Sequence, residues 1–138
     1  MGVEYTRTPT PAQIKFSHNA IDSGADLVIG NHPHWVQTIE QYKGKWIFYS
    51  LGNFIFDQMW SVDTRQGLTA TLTFSAKGGS LPARQAGASG GKNIQLNKIE
   101  LKPVMIDDYC CPRWANDNET KNILGKINLT SPLLLQHN

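Results

Sequence analysis

A short apolar run that passes through a glycine into two closely spaced histidines constrains this chain more than any other feature. The segment Gly24-Ala-Asp-Leu-Val-Ile-Gly-Asn-His-Pro-His-Trp-Val36 holds two of the four histidines, His32 and His34, with only Pro33 between them. An apolar strand that empties into a loop carrying paired imidazoles is a common way to build a metal site. Pro33 disfavours the helical region for His32, and its ring fixes its own φ at about −65°. The triplet is therefore expected to be extended, with both side chains leaving one face and their Cα atoms roughly 6–7 Å apart. Two such histidines can converge on one ion through bonds of about 2 Å. They can equally reach two ions a few ångströms apart, or be ordinary loop histidines. Gly30 allows a sharp turn, and Asn31 can cap it.

The residues around this segment predict an α-then-β unit. Thr10 can cap a helix whose first position suits Pro11. Apolar Ile14, Phe16, Ala20 and Ile21 give it a face, and Gly24 stops it. Residues 25–29 then read as a short buried strand, which places the His-Pro-His loop at a strand's carboxyl end, where open α/β sheets locate their chemistry. Residues 36–42 and 46–49 read as a hairpin closed by Lys43-Gly44-Lys45. The aromatic residues Trp46, Phe48, Tyr49, Phe54 and Phe56 read as core.

Further on, residues 68–74 alternate Leu, Ala, Leu and Phe with three threonines, as a half-buried strand does. Residues 76–92 are rich in Gly, Ser and Ala and read as a mobile loop. A return strand over 94–101 changes apolar parity near Asn97-Lys98, where a bulge would reconcile the two registers. Residues 118–127 read as a short helix ending near Gly125.

Composition narrows the class of function. A net charge of +2 argues for neither nucleic acid nor a membrane surface as partner. No apolar run is long enough to span a bilayer, and the first residues lack the pattern of a signal peptide, so a soluble chain is expected. Cys110 and Cys111 are adjacent, and because a disulfide between neighbours is strained they read as two thiols.

Gly24-Ala-Asp-Leu-Val-Ile-Gly-Asn-His-Pro-His, followed by Ile39-Glu40, Tyr42-Lys43-Gly44-Lys45 and Ile47-Phe-Tyr-Ser-Leu-Gly-Asn-Phe-Ile-Phe56, resembles the CapA family of poly-gamma-glutamate capsule synthesis proteins. The likeness is dense over residues 2–57. It continues weakly through the alternating strands, residues 109–113 and the last helix. The resemblance implies an α/β fold that is part of a four-layer αββα sandwich of the calcineurin-like metallophosphoesterase type, with a two-metal site (Mn, Fe or Zn) at strand ends. In that superfamily a late Gly-His-x-His motif gives one histidine to each metal, so His32 and His34 are implied metal ligands. The family commonly has a histidine where Asn31 stands.

Gly2-x-Glu4-Tyr5 resembles the tail of a family His-Trp-Gly-x-Glu-Tyr segment, whose histidine is not in this chain. Glu4 is a candidate general acid or supporting carboxylate. Asn53, which follows an apolar strand through Gly52, is a candidate to orient a phosphate or a ligand histidine. Glu40 matches a family position and could approach the site, whereas Asp26 and Asp57 read as structural and His18 and His137 as surface residues. Asn128-Leu-Thr130 fits a glycosylation sequon by coincidence.

Nothing here resembles the family's early aspartate, histidine and asparagine motifs. Residues 1–138 are thus expected to be the carboxy-terminal portion of one domain, inactive alone. The expected partners are the missing amino-terminal half, a second copy, capsule synthase subunits or an anionic polymer. Family members are often extracytoplasmic and anchored through an amino-terminal segment. Two functions compete: a metal-dependent phosphoesterase in capsule biosynthesis, and a non-catalytic capsule-assembly accessory or polymer-binding module.

Overall fold

The structure is a computed structural model that describes residues 2–76 and 94–127. His137, the sequon at Asn128 and the loop expected over 76–92, from residue 77 on, lie outside the described residues. The protein is mixed α/β. Helix α1 (Pro11–Asp22) leads to strand β1 (Leu27–Ile29), then β2 (Ile39–Tyr42) and β3 (Lys45–Phe48). A 3-10 turn at Asp63–Arg65 precedes β4 (Gln66–Ala76), β5 (Ile94–Asp107), β6 (Cys111–Trp114) and helix α2 (Asp117–Gly125). Among the described residues no helix is long and apolar enough to cross a membrane.

Helix α1 starts where the sequence predicts. Thr10 accepts a bond from Gln13 N–H, Gln13 Oε1 accepts from Thr10 N–H at 2.9 Å, and Pro11 takes the first helical position. Its buried face is Gln13, Ser17 and Ile21, whereas Phe16, expected to face the core, is more than half exposed. Strand β1 runs parallel to β3, with Val28 opposite Ile47, and β2 pairs antiparallel with β3 from Ile39↔Phe48 to Tyr42↔Lys45. Lys43 and Gly44 both take positive φ, 49° and 77°, the two-residue turn whose twist matches a hairpin. Ile21, Ile47 and Tyr49 form a core cluster against which Ile14, Ala25, Val28 and Tyr42 pack.

Beyond β3 the chain crosses the start of β4 at very close range. Val36 bridges Leu51, and Gly52 bridges Gly67. A Cβ on Gly67 would collide with the Asn53 carbonyl, and one on Gly52, whose φ is 74°, with the Gln66 carbonyl. Two glycines are thus required for this crossing, and the crossing fixes the backbone of Asn53.

The second sheet has the order β4-β5-β6, with β5 and β6 antiparallel from Val104↔Trp114 to Asp107↔Cys111. Strand β6 was not read from the sequence, because Cys-Pro-Arg-Trp has no alternation and contains a proline; it is a short edge strand, where proline is tolerated. Helix α2 is capped by Asn116, with Glu119 closing a capping box.

The described residues form two compact units, residues 2–69 with 102–127 and residues 70–76 with 94–101. The first holds both helices, the first sheet and the buried side chains Leu68, Val104, Met105, Ile106, Ile123 and Ile127. In the second, Ser75 Oγ donates to Asn97 Oδ1 at 3.2 Å. There Asn97 and Lys98 are both exposed ahead of buried Ile99, so burial changes parity where the sequence does. The apolar face expected over 68–74 is graded: Leu68 is buried, Leu72 half-buried and Phe74 exposed.

Two further readings need correction. Residues 36–38 lie outside any strand, because Val36 makes only an isolated bridge. Phe54 and Phe56 are exposed rather than core, since they follow Asn53 on a loop with no sheet partner.

Candidate metal centre

The loop after β1 is not extended. His32 has φ 103° and His34 φ 62°, so both flank Pro33 in the left-handed half of backbone space. Proline excludes the right-handed helical region for His32 but leaves this alternative open. Each such residue costs on the order of 1–3 kcal/mol and persists only where its surroundings over-determine it. Here the surroundings do so. Asn31 Oδ1 accepts from His32 N–H at 2.8 Å, as the capping role read from the sequence requires. Pro33 is fully buried, and its carbonyl accepts from Tyr5 N–H at 2.9 Å. Gln37 is buried as well; its N–H donates to the Ser50 carbonyl at 3.0 Å, and its amide donates to the Thr6 carbonyl at 2.9 Å.

The bond from Tyr5 to Pro33 also brings the first residues to the loop. Glu4, His32 and His34 each offer a ligand atom within 4.8 Å of the other two, the one group of three or more such residues among those described. Glu4 Oε1 stands 3.8 Å from His34 Nε2. Glu4 and His32 are exposed and His34 is half-buried, so the group opens to solvent on one side.

Asn53 sets which nitrogen of His34 is free. Its Nδ2 donates to the Thr64 carbonyl at 2.8 Å, so the other amide atom, Oδ1, must face His34 Nδ1, at 3.0 Å. A carbonyl oxygen can only accept, so Nδ1 carries the hydrogen and the neutral ring presents its lone pair at Nε2, toward Glu4. Tyr5 stacks on the His34 ring at 5.7 Å and Phe56 packs against it at 5.0 Å. Tyr5 is itself held edge-on by Trp60 and accepts a bond from Gln58 Nε2 at 2.9 Å. Tyr5, Phe56 and Trp60 were not singled out as site residues by the sequence; the pairing of Glu4 with Tyr5 in one short motif was the available signal.

Two imidazoles and a carboxylate, with one imidazole oriented by an amide, form a donor set that suits a divalent transition-metal ion. Donors on one tetrahedral zinc lie about 3.4 Å apart, closer than the outer limit here, so a small side-chain adjustment or a pair of ions would satisfy them. Three donors fall short of a full shell.

The other sequence candidates lie elsewhere. Glu40 accepts from the Tyr49 hydroxyl and meets His18 Nε2 at 2.9 Å, so it belongs to a separate network. His18 is half-buried and stacked on Tyr42 at 3.8 Å, rather than a free surface residue. Burial pushes the Tyr49 hydroxyl up, and the bond to Glu40 pushes it further. Asp26 pairs with Lys45 at the sheet edge, in line with a structural role.

A mixed α/β protein with a strained strand-end loop that gathers two histidines and a carboxylate is the class this geometry defines. The bacterial capsule synthesis protein family, PGA_cap, matches residues 1–58, which contain the whole cluster and Asn53. The capsule biosynthesis protein CapA of Bacillus anthracis is 48% identical over 60 residues, 44% of this chain and 15% of that protein. The PGA biosynthesis protein CapA of Bacillus subtilis is also 48% identical over 60 residues, 16% of its length. A Mycobacterium tuberculosis protein named "Probable polyglutamine synthesis accessory protein" is 36% identical over 101 residues, 73% of this chain and 25% of that protein. Over residues 1–58 the chain is similar to the CapA family of bacterial capsule synthesis proteins. It matches between about one seventh and one quarter of the length of these relatives.

Proposed function

We propose that this chain serves capsule polymer biosynthesis, and that Glu4, His32 and His34 supply part of the divalent-metal centre of a phosphoesterase-type αββα domain. The observation that carries this reading is the convergence of the three donors beside a His34 whose tautomer Asn53 fixes. Among the described residues the three donors leave a metal shell incomplete, so further ligands are needed. The much greater length of the Bacillus relatives provides a source for them, and a second copy is the alternative.

Bound there, divalent ions would supply Lewis acidity toward a phosphoester and acidify an attacking water. The chain's own residues do the rest. Asn53 holds the His34 ring so that Nε2 faces the site. Buried Pro33 and Val36 anchor the loop, and Tyr5 and Phe56 prevent the ring from turning away. The 3.8 Å approach of Glu4 to His34 Nε2 favours Glu4 as a third ligand over a free general acid. The accessory reading, a polymer-binding role without catalysis, draws on the printed name of the mycobacterial relative.

The test replaces the matched 60 residues of the Bacillus subtilis relative with those of this chain. The chimera is scored for polymer production in its host and for Mn2+-dependent hydrolysis of bis(p-nitrophenyl) phosphate. The proposal expects both to survive the exchange and both to be lost when His32→Ala and His34→Ala are introduced together. Polymer production that persists in the double variant would overturn the metal reading and leave the accessory role.

A further inference from the structure

The turn between β5 and β6 carries chemistry that the metal centre does not use. Asp108 and Tyr109 take left-handed φ values of 49° and 65°, and Cys110 and Cys111 follow. Both thiols are exposed, and their Sγ atoms are 2.8 Å apart. Side chains of adjacent residues in a regular strand point to opposite faces; here the turn brings the two sulfurs together. Cys111 is register-paired with Asp107, whose carboxylate binds Arg65 at 2.9 Å and also Arg113.

From this geometry we propose that Cys110 and Cys111 form a reversible dithiol/disulfide couple that small-molecule disulfides oxidise. Closing the bond brings the sulfurs from contact to about 2.05 Å. Adjacent Cα atoms lie about 3.8 Å apart, below the span that an unstrained disulfide prefers. The oxidised form is therefore strained as well as exposed, the combination that marks labile rather than structural disulfides.

Chemistry on the two sulfurs proceeds in order. Both thiols are exposed, so either can open the exchange, and Cys110 is taken as the first nucleophile. The Cys110 sulfur displaces one thiolate from a disulfide R–S–S–R and forms a mixed disulfide. Cys111 Sγ then attacks the Cys110 sulfur, loses its proton and releases the second thiolate. Two electrons pass to the small disulfide, which leaves as two thiols, and the protein loses two hydrogens. Formation of the ring disturbs the Asp107↔Cys111 pairing, so the couple acts on the end of the β5–β6 hairpin.

The experiment equilibrates the reduced full chain with graded ratios of oxidised to reduced glutathione, alkylates remaining thiols with iodoacetamide, and weighs the protein. The proposal expects the doubly alkylated species to give way in one step to an unalkylated monomer lighter by two hydrogens. Excess dithiothreitol should reverse the change. Cys110→Ser and Cys111→Ser variants, both at exposed positions, should instead stop at a single glutathione adduct. Accumulation of two glutathione adducts per chain, a disulfide-linked dimer, or thiols that stay alkylatable at every ratio would overturn the proposal.

Discussion

Two clusters of polar side chains in this protein use similar groups to opposite ends. Around Asp107 the charges of Asp107, Glu119, Arg65 and Arg113 are matched. Arg65 and Arg113 share its two oxygens, and Arg113 turns its remaining nitrogens to Glu119 at 2.8 Å, closing onto the cap of α2. Around His34 ligand atoms of His32, His34 and Glu4 lie within 4.8 Å of one another, and among the described residues no Lys or Arg forms an ion pair with Glu4. The first arrangement satisfies itself and holds strand to helix. The second gathers acceptors on a strained loop, which persists only where the fold holds it and which the proposed cation would neutralise. The difference lies in what each acceptor meets, which residue counts do not reveal.

The comparison can be broken at either cluster. The largest expected effect belongs to Asn53→Ala. With the His34 tautomer no longer fixed, divalent-metal affinity should fall about 10–100-fold, as read by calorimetric titration, while far-ultraviolet circular dichroism stays unchanged. If affinity is unchanged, Asn53 does not orient a ligand. A smaller effect is expected at the paired cluster. Arg113→Ala should cost roughly 1 kcal/mol or less of stability, the range for exposed ion pairs, and leave metal affinity alone. A metal-binding defect in that variant would erase the distinction between the two clusters.

The smallest effect is in acid. The Arg113 bonds, then the Asn116 backbone N–H, hold the Glu119 carboxyl down to about 2, and Arg113 also holds Asp107 below the usual carboxylate range. A carboxylate depressed in the folded state stabilises the protein above its unfolded value, and that contribution disappears as pH falls through the folded value. Thermal melts between the ordinary Glu value of 4.5 and about 2 should therefore show a steeper loss of Tm in the native chain than in Arg113→Ala. Parallel curves would show that these bonds do not form in solution.

Much of the first half of the fold was legible, because local signals agreed with the tertiary outcome. Thr10-Pro11 and Gly24 bounded α1, and Lys43-Gly44 closed a hairpin whose register follows from the turn. The cluster itself was half legible. The histidines and Glu4 could be named from their motifs, but their convergence depends on the Tyr5–Pro33 backbone bond, which no spacing encodes. The backbone of the histidine loop was misread because a proline rule removes one region of φ/ψ space without saying which remaining region is used. Asn53 could be proposed as an orienting residue. Its geometry is set by the Gly52–Gly67 crossing, a long-range contact between two glycines that carry no side-chain pattern. Phe54 and Phe56 misled for the converse reason: aromatic character signals core only where a sheet or helix supplies the opposing face.

The most direct test of the central claim is a calorimetric titration of Mn2+ or Zn2+ into the full chain, the Glu4→Gln variant, and the His32→Ala and His34→Ala variants. The account predicts saturable binding in the native chain that weakens at least tenfold in each histidine variant and measurably in Glu4→Gln. Equal binding by all four proteins would contradict it.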